Sequence, residues 1–158
     1  MSYWFFLNFI LLILAIYKVV THFSFPELHV HIILGFIGFM FFLFNWTRNA
    51  VFSTIRNIPD RRKKIMLATM SKKVMPFHRW TGMLALLFIF MHAWVIIYRY
   101  GFSVQNEKML SGLLAMITLM LLVATGWMRL IKPTGRLRRL HLRLGMLLFL
   151  LLVLHIIL

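Results

Sequence analysis

A chain of 158 residues that is 62% hydrophobic and 13% charged, with a formal net charge of +15, does not have the composition of a soluble domain, in which roughly a quarter of the residues carry charge. Its Lys and Arg fall between long apolar runs, so they read as topology signals and lipid-headgroup contacts, and a nucleic-acid surface is excluded as their reason. The lack of cysteine excludes disulfides, thiolate zinc sites, iron–sulfur clusters and thioether-attached haem, and leaves histidine as the credible ligand.

Five apolar stretches are long enough to cross a bilayer, which takes about 20 helical residues. They cover residues 3–20, 29–46, 80–98, 109–131 and 140–158. The first lacks a basic start and a small-residue cleavage site, and so reads as a helix, not as a removed signal peptide. Pro26 suits the entry to the second helix. Residues 47–77 differ from the rest: the run Asp60-Arg61-Arg62-Lys63-Lys64 is followed by Ile65, Met66, Met70, Val74 and Met75 among lysines. That mixture predicts a basic linker lying in the membrane interface, closed by Pro76. Pro133-Thr134-Gly135 makes a turn between the last two spans. The expected fold is a single all-α membrane domain over residues 1–158, a bundle of five transmembrane helices.

Charge sets the orientation. Residues 48–79 hold nine Lys or Arg and residues 129–143 hold six, against Lys18, Arg99 and Lys108 in the remaining connections. Positive loops stay in the cytoplasm, so the amino terminus is expected inside and the carboxyl terminus outside. The third and fifth spans then both run outward and are parallel.

These two spans share a frame. His78-Arg79-Trp80-Thr81-Gly82 is followed by nine apolar residues and His92; His141-Leu142-Arg143-Leu144-Gly145 is followed by nine more and His155. Fourteen residues bring a helix back to within about 40° of the same face and rise roughly 21 Å. Each span therefore offers two imidazoles on one stripe, one near each membrane surface. Parallel spans pair His78 with His141 near the cytoplasmic side, and His92 with His155 near the outer side. Two neutral imidazoles on opposite sides of a flat macrocycle suit a six-coordinate haem iron, whereas a tetrahedral metal wants more ligands. Gly82 and Gly145 lie one turn past the inner histidines, where a missing side chain lets a porphyrin approach the backbone. Ala85 and Leu148 are expected between the two discs, with Phe88 lining the gap. Arg79 and Arg143 are placed to pair with the carboxylates of an inner haem.

A single histidine in a membrane helix is more often a packing or hydrogen-bonding residue than a ligand, and glycines there commonly serve helix packing. Repetition of the whole pattern at matched depth is what favours ligation. His22, His29 and His31 gather near the outer surface with Glu27. They are candidates for a quinone head, a metal ion or oxygen, though solvation at the interface accounts for them more simply. Arg99 either pairs with the outer haem or anchors its helix. Trp4, Trp46, Trp80 and Tyr98 read as interface-belt aromatics, and the methionines as core filler.

These residues resemble the ferric reductase-like transmembrane domain, shared by ferric reductases, NADPH oxidases and the bacterial haem subunit of the periplasmic methionine sulfoxide reductase system. The match lies in the histidine–glycine–histidine frames of the third and fifth spans. The resemblance implies two stacked haems b, the inner on His78 and His141, the outer on His92 and His155. It implies electrons moving outward across what is expected to be a bacterial plasma membrane, toward ferric iron, oxygen or a partner protein. The family usually has six core helices and often a domain binding flavin and NADPH. Here FAD and NADPH are expected only through a partner flavoprotein, or a quinol replaces them, and another membrane subunit is expected to cover the outer haem. The rival readings are a quinol-linked carrier of the cytochrome b561 type and a cofactor-free scaffold or assembly protein.

Overall fold

The computed structural model describes residues 3–21 and 29–158, apart from the side chain of residue 75; Pro26, His22 and Glu27 lie outside them. The described residues form six helices: α1 (Tyr3–Thr21), α2 (Val30–Arg56), α3 (Arg61–Lys73), α4 (Met75–Tyr100), α5 (Glu107–Ile131) and α6 (Gly135–Ile157). All but α3 are long and apolar enough to cross a membrane, and the chain is an integral membrane protein by that measure.

The expected interfacial linker is shorter than residues 47–77. α2 continues ten residues past Trp46, and α4 begins at Met75, which leaves only α3 between them. Thr47-Arg48-Asn49 looks like an exit from the membrane, yet the helix is not broken there. Thr47 and Thr54 return their hydroxyl protons to the carbonyls of Leu43 and Ala50, at 2.8 and 3.0 Å, and so leave neither hydroxyl stranded. Trp46, Ala50 and Ile55 continue the buried face. Asp60 then caps α3, accepting from the amides of Arg62 and Lys63, as a carboxylate does at a helix start. Asn106 and Thr134 cap α5 and α6 in the same way. α4 ends at Gly101, whose φ of 71° is a conformation that side-chain-bearing residues avoid.

The five long helices close a ring: α1 packs on α2, α2 on α4, α4 on α5, α5 on α6, and α6 back on α1. α4 and α6 thus face each other across the interior. The core lies at mid-height, where Leu11 and Ala15 of α1 meet Phe39, Phe42, Leu43 and Trp46 of α2, Ala115 and Leu119 of α5, and Leu148 and Phe149 of α6. Trp46 stacks on Phe149 with ring centres 5.2 Å apart, and Trp4 meets both edge-on. These two tryptophans belong to the core and not to an interface belt; they sit near the apparent end of a span but turn inward. Trp80 and Tyr98, at 72% and 84% exposed, do face outward as belt residues would.

Candidate functional site: two histidine pairs along the bundle axis

Above and below the aromatic layer the bundle is hollow. The cavity at the end rich in arginine holds about 670 Å³ and the one at the other end about 440 Å³, both within the range of small-molecule sites. We call them inner and outer. Ala85 and Leu119 line the inner cavity, Ile89 and Ala115 the outer. The two hollows are thus separated by a single helical turn, about 5.4 Å.

Each cavity contains one of the expected pairs. His78 of α4 and His141 of α6 line the inner cavity, with ring centres 6.3 Å apart and ring planes at 80°. His92 and His155 line the outer cavity, 6.4 Å apart and at 90°. Near ends pair with near ends, so α4 and α6 run parallel. The His31 ring also stands 6.4 Å from that of His92, yet among the described residues no three His, Asp or Glu side chains come together as a group that could hold a metal ion.

Every one of the four rings is held by its Nδ1 from a flanking helix. His78 donates to Asn45 Oδ1 at 2.8 Å, and His92 donates to the carbonyl of His31 at 2.6 Å. His155 donates to the carbonyl of Lys108 at 3.0 Å, with Ser111 Oγ at 3.2 Å. For His141 the partner is Thr125 Oγ1 at 3.1 Å. That hydroxyl sends its own proton to the Leu122 carbonyl at 2.9 Å, so it receives one from His141. With the proton fixed on Nδ1, the neutral ring keeps its free lone pair on Nε2, the form in which imidazole binds a metal.

The pairs fit an iron held on both faces. Metal–nitrogen bonds of about 2 Å, with roughly 1.1 Å more to each ring centre, put the two centres about 6.3 Å apart. Two ligands per centre, each with an outward hydrogen-bond acceptor and a cofactor-sized space around them, is the donor set expected of bis-histidyl haem.

The other expected site residues divide. Gly82 and Gly145 both line the inner cavity. Gly145 has a further role: a Cβ there would lie 3.1 Å from the Trp46 ring, so it also seats the tryptophan. Arg79 lines the inner cavity, but Arg143 is exposed and outside it. Two positions along α6 from His141 is a turn of about 200°, which carries the side chain to the opposite face. Arg48, Arg56, Arg129 and Arg138 line the inner cavity instead. Lys18 and Lys108 line the outer one, while Arg99 is exposed and lines neither. Ala85 and Leu148 are fully buried at mid-height. Phe88 does not line the gap; it stacks on Phe41, ring centres 5.8 Å apart, away from both cavities.

His31 is not merely solvated. Its carbonyl holds His92, its ring lines the outer cavity, and Tyr100 stands edge-on to it at 5.9 Å. His29 stays beside it, ring centres 5.6 Å apart.

Three glycines that sequence reasoning passed over stand against the histidine rings themselves. A Cβ at Gly35 would lie 2.8 Å from the His92 ring, and one at Gly112 would lie 2.9 Å from that of His155. Both are tighter than real contacts allow. Gly126 stands 3.5 Å from His141 by the same measure, an ordinary contact. Compared with protein-family models, curated proteins and solved structures, the chain matches none.

Proposed function

We propose that this chain is a dihaem b-type cytochrome subunit that carries electrons outward across a membrane, from a cytoplasmic flavoprotein or quinol to an acceptor on the far side. The observation that supports it best is the pair of facing imidazole pairs, 6.3 and 6.4 Å between ring centres, each ring tied back by its Nδ1. Haem bound in each cavity would supply one-electron chemistry at two depths, and the polypeptide supplies ligands, orientation and a dry path.

In this reading His78 and His141 hold the inner haem and His92 and His155 the outer. Arg48, Arg79, Arg129 and Arg138 offer cations for the inner carboxylates; Lys18 and Lys108 do so for the outer. Trp46, Leu148 and Phe149 fill the layer between and exclude water, which shapes both potentials. The arginine-rich end faces the cytoplasm by the positive-inside rule. A membrane potential negative inside then favours outward electron flow by about 2.3 kcal/mol per electron per 100 mV for a full crossing. The likeness of its two histidine frames to the ferric reductase-like domain points the same way.

The test is reduction of the purified protein in membranes. Reduction of both haems by a flavoprotein with a nicotinamide donor supports the first route; reduction by quinol alone selects the quinol-linked carrier. Protein that takes up no haem even when it is supplied selects a scaffold role.

A further inference from the structure

The two pairs differ in what α2 offers them, whereas α5 treats both alike. On α5, Ser111 and Thr125 each donate to the carbonyl three residues back, of Lys108 and Leu122, and set the hydroxyl beside Nδ1 of His155 and of His141. On α2, the outer ring of His92 meets the main-chain carbonyl of His31, and the inner ring of His78 meets the side chain of Asn45. A carbonyl of the main chain is much the same whatever residue carries it, so its strength as an acceptor is fixed by the fold. A side-chain acceptor is set by the residue chosen. From this difference, and resting on the dihaem reading above, we infer that Asn45 is a positioning residue that sets the reduction potential of the inner haem through His78.

The local geometry favours Asn45 over Thr125 for this role. Asn45 Oδ1 stands 2.8 Å from His78 Nδ1 and 2.8 Å from the hydroxyl of Thr81. Thr81 also reaches the Phe77 carbonyl one turn back, at 2.7 Å. Thr81 has one proton to share between that carbonyl and Oδ1, so the donor assigned to the amide oxygen is His78 Nδ1–H. Asn45 Nδ2 is turned to the space over Gly82, where a Cβ would lie 3.7 Å away. The asparagine thus spans one turn of α4 from α2, and it lines the inner cavity beside the ring it holds. Thr125 makes the longer contact of the two, at 3.1 Å.

The chemistry is that of an outer-shell acceptor. The more strongly Nδ1–H is pulled, the more electron density the imidazole passes to iron, and the better the oxidised form is stabilised. A stronger acceptor at position 45 lowers the inner potential and a missing one raises it. Because α2 holds His92 by a main-chain carbonyl, a change at position 45 reaches the inner centre alone.

The test is a redox titration of the full-length purified protein, read by its optical spectrum and by electron paramagnetic resonance of the ferric form. Asn45→Asp, close in size, should shift the inner midpoint downward and leave the outer one where it is. Asn45→Ala should shift the inner midpoint upward and weaken inner-haem retention by about 10- to 100-fold. If the alanine variant does not fold, the aspartate variant decides alone. Unchanged midpoints in Asn45→Asp, or equal shifts of both, would overturn the inference while leaving the dihaem reading intact. Wild-type protein that binds no haem would overturn both.

Discussion

The inner and outer halves of this bundle solve one problem with one tie they share and one in which they differ. Each must hold two imidazoles face to face with Nε2 free. On α5 both use a hydroxyl backed by a carbonyl, Thr125 for His141 and Ser111 for His155. On α2 the inner half uses an exchangeable side chain, Asn45, in a roomier cavity ringed by arginines, while the outer half uses the His31 carbonyl and lets helix backbones press on the rings at Gly35 and Gly112. The lesson is that His92 is held by the packing of helices, and His78 by chemistry that one substitution alters.

The strongest break in the comparison is removal of a ligand. His92→Ala or His155→Ala should halve the haem content and spare the inner centre; His78→Ala or His141→Ala should do the reverse. Haem-to-protein stoichiometry and a potentiometric titration read out which centre is lost. Two haems surviving in the outer variants would mean that the pairs are wrongly assigned.

Backbone packing comes next. Gly35→Ala and Gly112→Ala each put a methyl group less than 3 Å from an outer ring, and the ring must yield. Outer-haem affinity should fall about tenfold or more, the scale of lost outer-shell support, with the inner spectrum unchanged. Gly126→Ala, facing His141 at ordinary contact distance, should be far milder. Comparing haem retention across the three variants on one gel-filtration run would show whether backbone pressure is confined to the outer half.

Charge gives a smaller effect. Arg129 lines the inner cavity and Arg143 does not. Arg129→Gln should lower the inner midpoint modestly, since a nearby cation favours the reduced iron, whereas Arg143→Gln should leave both midpoints in place. Equal shifts from the two would put the cavity boundary in the wrong place. The ring planes supply a last check that needs no mutation. At 80° and 90°, both ferric centres should give the highly anisotropic low-spin resonance of crossed imidazoles, not that of parallel ones.

How much of this was legible in the sequence follows from which contacts are local. The two histidines of each frame lie on one helix, so spacing alone put them on one stripe, and the order of spans made the stripes parallel. The partners of those histidines come from other helices. Asn45 is 33 residues from His78 and the His31 carbonyl 61 from His92, and no periodicity links such positions. Gly35 and Gly112 sit beside nothing in the chain that marks them as contacts of a ring. Trp46 was readable as a belt residue because Thr47-Arg48-Asn49 follows it. The threonine's hydroxyl is satisfied within the helix, so α2 runs on and Trp46 turns into the core. Arg143 follows its histidine by two positions, a spacing that looks adjacent in sequence and is opposite on a helix.

The most direct test of the central claim is a reduced-minus-oxidised optical spectrum of the purified chain, with haem counted against protein. The account predicts two b-type haems per polypeptide, both low-spin and six-coordinate, titrating as two separate centres. A chain without a Soret band after haem supplementation, or with a single haem that survives loss of either histidine pair, would contradict it.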